Sequence, residues 1–166
     1  MLRGFLQKEG SVIRRAGNKD IPGLAKLLLQ VQDVHAKGRP DLFKSGGRKY
    51  TDDDLEILLH DETRPVFVST GANNEIEGYA FCIVEPVPEG PSLQPVTTLY
   101  IDDICVDEEK RRHHIATGLY EYVRAYAKSA GFDRITLNVW AMNSPAQRFY
   151  EKMGMQPLKT TMEERL

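Results

Sequence analysis

The chain has 166 residues, 41% apolar and 28% charged, which predicts one compact domain over residues 1–166 with its core at about 11–162. A formal net charge of −2 at pH 7 gives no overall attraction to nucleic acid or anionic membranes, so neither is expected as a partner. Cys82 and Cys105 lie in apolar runs and indicate no disulfide framework, and no apolar stretch approaches the ~20 residues of a membrane span, so we expect a cytoplasmic protein.

Strand and helix patterns alternate along the first half of the chain. In order, they predict an edge strand, an amphipathic helix, a short second helix and the two strands of an antiparallel hairpin: 11–15, 20–38, 51–59, 65–70 and 76–84. Asp20, with Pro22 in the first turn, is a typical helix start, and Thr51 with Asp54 three residues later resembles a capping box. The last of these strands is apolar at almost every position, so both of its faces should be covered.

The second half continues the alternation after a proline-rich loop. Residues 100–117 predict a strand, a turn and the start of a helix. That helix is expected to be followed by a strand, another helix and a closing strand, and the four elements cover 115–131, 134–140, 144–154 and 155–162. Ser144, Pro145 and Gln147 are typical of a capping box with proline at the first helical position.

An unusual charge pattern marks the helix start within residues 100–117. Five basic residues stand there: Lys110, Arg111, Arg112, His113 and His114. A helix N-terminus carries partial positive charge and normally attracts Asp and Glu. Its unpaired N–H groups, together with arginine side chains, are suited to bind phosphate. We therefore predict a site for a phosphate-containing cofactor, the alternative being an ordinary solvated turn.

Two motifs carry a family resemblance. Residues 111–116 read Arg-Arg-His-His-Ile-Ala, and an Asn precedes a short helix with aromatic residues and a later Gly, at Asn143, Phe149, Tyr150 and Gly154. Both are similar to motifs of the GNAT superfamily of acetyl-CoA-dependent N-acetyltransferases. The resemblance runs from about residue 11 to about 162. It implies an α/β (α+β) fold with a mixed, mostly antiparallel twisted sheet of about six or seven strands and about four helices on both faces.

The resemblance also implies acetyl-CoA as co-substrate, with no metal. The helix start would hold the pyrophosphate, and the strand before it would pair with the pantetheine arm and the acetyl group. The implied cofactor-binding residues are Ile104, Cys105, Val106, Arg111, Arg112, His113, His114, Ile115, Ala116, Thr117 and Asn143. His114 stands where the family signature has its first glycine, so we expect its Cβ and imidazole either to crowd the pyrophosphate or to change the turn.

Acyl transfer to an amine needs a base and an acid. An alkyl amine has a pKa of ~10.4, so a base must remove its proton before it attacks. Asp102 and Asp103 directly precede Ile104 and resemble the acidic pair of polyamine-type acetyltransferases. Strand alternation predicts that they face opposite sides. The resemblance favours Asp102 as the base, the alternatives being an anchor for the substrate ammonium or a simple charge at the strand edge. Tyr150 is implied as the acid that protonates the departing thiolate, the alternative being packing in the core.

The predicted reaction is therefore direct transfer of acetyl from acetyl-CoA to a primary amine, without a covalent enzyme intermediate. The acidic pair favours a small cationic acceptor. A peptide amine, or a CoA-binding module without catalysis, are the alternatives, and the resemblance is consistent with a homodimer. The sequence contains no P-loop, HExxH, paired CxxC or GxSxG motif, and its four histidines show no metal-ligand spacing.

Overall fold

A computed structural model describes residues 11–166 and contains a five-stranded mixed sheet. The strands are β1 (Val12–Arg15), β2 (Val66–Thr70), β3 (Ile76–Glu85), β4 (Thr98–Val106) and β5 (Arg134–Leu137), in the spatial order β1-β2-β3-β4-β5. The first four strands pair antiparallel, and β5 pairs parallel to β4. The mixed, mostly antiparallel sheet is thus confirmed, with five strands in the described residues where six or seven were expected.

Four α-helices flank the sheet: α1 (Ile21–Gly38), α2 (Asp52–Leu59), α3 (Ile115–Ser129) and α4 (Ser144–Lys152). Helices α1 and α2 pack on one face and α3 packs on the other, so the sheet lies between two apolar clusters. Strand β2 shows how the sequence feeds both clusters. Its Val66 and Val68 enter the cluster under α1 and α2, while Phe67 between them enters the cluster under α3. Helices on both faces are therefore confirmed.

The predicted cap of α2 is confirmed, whereas the cap of α4 lies one residue before its predicted position. At α2, Thr51 Oγ1 accepts from Asp54 N at 3.1 Å and the Asp54 carboxylate accepts from Thr51 N at 2.8 Å, so the capping box is confirmed. At α4 the cap is Asn143, whose side-chain oxygen accepts from Ala146 N at 3.2 Å. The prediction of Ser144 as the cap was therefore wrong.

Residues 155–162 do not form the predicted closing strand. Pro157 lacks the N–H that a sheet ladder needs. The segment also buries little apolar surface, because Leu158 is 69% exposed and Met162 is 85% exposed. Strand β5 likewise ends at Leu137, before the predicted residue 140.

Strand β4 contains a bulge at its centre. Phe81 of β3 lies opposite Asp103, but the next β3 residue, Cys82, lies opposite Ile101, which leaves Asp102 as an extra residue. A bulge interrupts strict alternation, so the prediction that Asp102 and Asp103 face opposite sides was wrong. Both carboxylates instead meet tyrosines of the apolar cluster under α1 and α2: Tyr50 for Asp102 and Tyr79 for Asp103.

Candidate active site

Strands β4 and β5 separate after a short paired section. Residues 98–101 of β4 pair with all four residues of β5, and β4 then continues to Val106 paired only with β3 on its other side. The edge of β4 over residues 102–106 therefore has no strand partner among the described residues. An exposed run of backbone N–H and C=O groups can pair with an extended, amide-containing ligand.

The register shows which groups face this open edge. In an antiparallel ladder, successive residues direct their N–H alternately toward one neighbour and away from it. Asp107 N donates to Glu77 O at 2.9 Å on the β3 side. By alternation, the N–H groups of Val106 and Ile104 point to the opposite, open edge. Cys105 between them is 8% exposed, and burial raises the pKa of its thiol to about 12.

The start of α3 provides a second group of free donors beside this edge. The first hydrogen bond of the helix runs from Gly118 N to His114 O at 2.9 Å, and no side chain caps the helix. The N–H groups of Ile115, Ala116 and Thr117 therefore have no partner within residues 11–166. The first turn also contains no acidic residue. Exposed Arg111 and Arg112 add positive charge to this end of the helix.

The turn before α3 has a left-handed backbone at two positions. Arg112 has φ of 69° and His114 has φ of 60°. This conformation costs an L-residue roughly 1–2 kcal/mol and costs glycine almost nothing. At residue 114, where the signature has glycine, the backbone thus adopts a conformation that glycine favours. The difference from the signature glycine is therefore the exposed imidazole side chain of His114.

A buried acid ties this turn to α1. Asp107 is 4% exposed and accepts from Lys26 Nζ at 2.7 Å and from Gln30 Nε2 at 3.3 Å. Lys110 lies 3.6 Å from the Glu77 carboxylate, so part of the basic charge of the turn is already compensated by the protein. Sequence reasoning missed Asp107, whose only signal was an acidic residue directly after an apolar strand.

The protein around Asp103 raises the pKa of its carboxyl group. Its carboxylate accepts from Tyr79 Oη at 2.7 Å. Burial raises the pKa of Asp103 to about 6, the Tyr79 hydrogen bond partly offsets this, and the nearby charge of Asp102 raises it further. A carboxylate with this pKa is a stronger base than an ordinary aspartate and is still ionised at neutral pH.

Asp102 is held by two side chains from the loop before α2. Lys49 Nζ donates to its carboxylate at 2.6 Å, and Tyr50 Oη donates at 3.3 Å. Tyr50 stacks on Phe81 with ring centroids 5.7 Å apart, which fixes the end of the loop against the sheet. Lys49 and Asp102 are 53 residues apart in the chain, so no local sequence pattern could have shown this contact.

Tyr150 lies on α4 and packs near α3. Its ring centroid is 6.4 Å from that of Tyr120 and 5.2 Å from that of Phe149. Its hydroxyl makes no hydrogen bond to any other described residue. Burial raises the pKa of Tyr150 well above its ordinary value, and the charge of Asp103 adds to the shift. The phenol therefore stays protonated and is free to donate.

Aromatic side chains form a wall on the side of the loop after α1. The His35 and Phe43 rings lie 5.0 Å apart, and Phe43 meets Trp140 edge to face at 5.5 Å. Arg39 lies over the Trp140 ring at 5.9 Å. The wall joins the end of α1, the following loop and the segment after β5.

Other kinds of site find no support in the described residues. Across residues 11–166, no group of three or more His, Cys, Asp or Glu side chains could hold a metal ion. In the same part of the chain, no helix combines the length and apolar character needed to cross a bilayer. Cys82 and Cys105 are both free and buried.

Comparison with known proteins connects this geometry to a family. The family model described as acetyltransferase (GNAT) family matches residues 28–155. A mutant of the BH1408 protein from Bacillus halodurans is 32% identical, with a TM-score of 0.89 over 93% of this chain and 99% of that chain. The chain belongs to the GNAT acetyltransferase family. Members of this family use acetyl-CoA as acyl donor.

More distant GNAT structures share the fold at low identity. An aminoglycoside acetyltransferase from an uncultured soil metagenomic sample, in complex with trehalose, is 19% identical, with a TM-score of 0.71 over 96% of this chain and 98% of that chain. An aminoglycoside N-acetyltransferase in complex with CoA is 13% identical, with a TM-score of 0.69 over 98% of both chains. No protein with a curated description matches the sequence.

The residues predicted for the GNAT cofactor fall into two adjacent groups and one outlier. Residues 104–106 form the open edge of β4, and residues 111–117 form the basic turn and the start of α3. The outlier is Asn143, whose side-chain oxygen is used as the cap of α4. The predicted catalytic side chains of Asp102 and Asp103 project from β4, and Tyr150 comes from α4.

Proposed function

We propose that this GNAT protein transfers acetyl from acetyl-CoA to the primary amine of a small cationic molecule, by direct attack of that amine. One observation carries the proposal. The unpaired edge of β4 leads to the uncapped start of α3, and the same strand carries two acidic side chains at its bulge.

The free donors suit the two polar parts of CoA. The unpaired N–H groups of Ile104 and Val106 would hold the amide-containing arm against the strand edge. The amides of residues 115–117, with Arg111 and Arg112, would hold the diphosphate at the helix start. Bound in this way, acetyl-CoA supplies an activated acyl group and a thiol leaving group beside the bulge of β4.

Asp103 is the better candidate for the base. Its pKa of about 6 allows it to be ionised at neutral pH and to accept a proton more readily than an ordinary aspartate. The Asp102 carboxylate already receives the Lys49 ammonium at 2.6 Å. We therefore assign proton removal to Asp103, where the family resemblance had favoured Asp102.

Tyr150 completes the proton balance. The acceptor ammonium gives one proton to Asp103, its nitrogen forms a bond to the acyl carbon, and the carbon–sulfur bond breaks. Tyr150 donates its proton to the leaving sulfur and regains one from the nitrogen, which loses its second proton as it becomes an amide. This role suits a buried phenol with a free hydroxyl. Cys105 is the only thiol on residues 102–106 of β4. Burial keeps it protonated and unreactive, which favours direct attack by the amine over a covalent enzyme intermediate.

Release of CoA thiol with a panel of amines tests the proposal. The panel comprises putrescine, spermidine, an aminoglycoside, a lysine-containing peptide and a peptide with a free N-terminus. We expect the highest kcat/KM with the small polycations. A preference for the peptides would contradict the proposed acceptor class, and CoA binding without turnover on any amine would instead indicate a binding module.

A further inference from the structure

Lys49 brings an amine of the protein itself to the bulge of β4. Its Nζ lies 2.6 Å from Asp102 Oδ2 and 5.4 Å from the centroid of the Tyr50 ring. The Lys49 side chain is 49% exposed, whereas that of Asp102 is 14% exposed. The ammonium therefore approaches a largely buried carboxylate from the solvent side.

The groups around this ammonium are those that bind alkylammonium ligands. A carboxylate supplies a charge-assisted hydrogen bond, and an aromatic face attracts a cation. Asp102 also stands two residues before Ile104, whose N–H faces the open edge of β4. Lys49 thus places a primary ammonium beside the strand edge at which the acyl group would be presented.

The site around Lys49 is held without help from Lys49. Arg64 Nη2 donates to Tyr50 Oη at 2.8 Å, and its guanidinium lies 5.6 Å from the Tyr50 ring centroid. Tyr50 is also stacked on Phe81. Its hydroxyl donates to Asp102. The ring and the carboxylate would therefore keep their places if Lys49 moved away.

The backbone before Lys49 is not crowded by other atoms. Gly46 and Gly47 precede it, and a Cβ added at either glycine would meet no atom within 4 Å. Gly46 has φ of 73°, in a region that glycine enters at little cost. Lys49 can leave Asp102 by rotation of its own flexible four-carbon side chain, and no atom crowds the backbone before it.

We propose that Lys49 occupies the acceptor-ammonium subsite of the free protein, and that a cationic acceptor binds by displacing Lys49 from Asp102. This inference rests on the proposed function for the role of the ligand. It makes Lys49 a specificity-determining residue. A cationic amine can replace the ion pair at Asp102, whereas a neutral ligand would leave Asp102 without a cationic partner.

Removing the lysine ammonium should consequently improve binding of a cationic acceptor. In Lys49→Met a similar side-chain length is kept and the competing charge is lost. We expect the Kd of putrescine for the CoA-loaded protein to fall by about two- to fivefold, the size expected for loss of one competing ion pair with a half-exposed lysine. Lys44→Met is the matched control, because Lys44 is exposed on the same loop and its side chain makes no ion pair within residues 11–166.

Calorimetric titration of putrescine into the CoA-loaded wild type, Lys49→Met, Lys49→Gln and Lys44→Met proteins measures this directly. Tighter binding in both Lys49 variants, with an unchanged Kd in Lys44→Met, is the expected result. Unchanged or weaker binding in the Lys49 variants, or no putrescine binding in any protein, would overturn the inference. A CoA titration of each variant verifies that it is folded.

Binding and transfer can be separated in this design. If the transfer function is correct, Lys49→Met lowers KM for putrescine while kcat stays constant, because the change affects acceptor binding alone. If no acetyl is transferred to any amine, the proposed function fails, but the calorimetric comparison still decides whether Lys49 occupies an ammonium subsite.

Discussion

Tyr79 donates a hydrogen bond of 2.7 Å to the carboxylate of Asp103. Tyr79 is fully buried, and burial raises the pKa of its phenol well above the ordinary value, so it remains a donor. The bond stabilises the charged form of Asp103 and opposes the effect of burial on its pKa. The balance leaves Asp103 with a pKa of about 6, which suits a base that works near neutral pH.

Replacing Asp103 should remove the base and its titration. In the wild type, kcat/KM rises with pH through about 6 as the carboxylate ionises. We expect Asp103→Asn to lower kcat by roughly 10²–10⁴-fold and to eliminate that limb of the pH profile. Steady-state kinetics across pH 5–8 with the best amine, alongside CoA binding by calorimetry, measures both. If kcat/KM of Asp103→Asn still rises with pH through about 6, another group is the base.

Tyr79→Phe should shift the same titration without removing it. The variant loses the hydrogen bond that stabilises the ionised carboxylate, so the pKa of Asp103 should rise and the limb should move to higher pH by up to about one unit. Tyr122→Phe is the control, because Tyr122 lies on the opposite side of the sheet and packs against Phe67. A shift toward lower pH in Tyr79→Phe, or an equal shift in the control, would contradict the role given to this hydrogen bond.

Asp103 also links the stability of the fold to pH. Its pKa in the folded protein lies above the unfolded value near 3.8, so the folded state holds the proton more tightly. The resulting stability is present at low pH and is lost as the pH rises from about 4 through about 6. Asp103→Asn should therefore be at least as stable as the wild type at pH 7, which thermal unfolding can verify alongside its loss of activity.

Tyr150→Phe should lower turnover without weakening CoA binding. The phenol is kept protonated by burial, and its hydroxyl has no other partner in the described residues, so its removal deletes a donor and preserves the packing of the ring. We expect kcat to fall by roughly 10²-fold or more. Tyr126→Phe, on α3 away from the open edge, provides the comparison. Equal kcat values for the two variants would mean that Tyr150 serves only in packing.

His114→Gly should relieve strain at the turn before α3. A left-handed residue costs roughly 1–2 kcal/mol relative to the right-handed region, and glycine costs roughly 0.5–1 kcal/mol in unfolded-state entropy, so we expect a gain of about 0.5 kcal/mol. The CoA Kd should stay the same or decrease, since less bulk faces the phosphates. His113→Gly is the control, because its φ is not positive: glycine there adds the entropic cost and removes the 3.1 Å hydrogen bond to Lys110 O, but relieves no strain. Chemical denaturation measures the free energy of unfolding of both variants. A His114→Gly protein less stable than the wild type would contradict the claim that residue 114 is strained.

Local sequence patterns were sufficient for much of the fold. The cap at Thr51 and Asp54 rests on residues three apart, and the amphipathic face of α3 rests on repeated spacings of three and four, so both were visible without tertiary information. Residues 155–162 show the limit of this approach. Their predicted strand depended on a neighbouring strand and a buried face. In the described residues the segment pairs with no strand, and of its apolar side chains only Met155 packs against a core cluster.

The candidate site was predictable only in part. The basic turn and the paired aspartates could be located from their positions in the chain, but the bulge at Asp102 depends on pairing between β3 and β4, which no single segment encodes. The same applies to the contacts of Asp102 with Lys49 and of Asp103 with Tyr79, because each joins separate segments of the chain. These contacts moved the assignment of the base from Asp102 to Asp103.

The central claim is that the free amides at the start of α3 bind the diphosphate of CoA. Ala116→Glu tests it sharply, because an acid in the first helical turn should stabilise the helix while repelling phosphate. Ala130→Glu, at the exposed far end of the same helix, introduces the same charge as a control. Calorimetric titration with CoA should show at least about tenfold weaker binding for Ala116→Glu and near wild-type binding for Ala130→Glu. Equal affinities for the two variants would contradict the account.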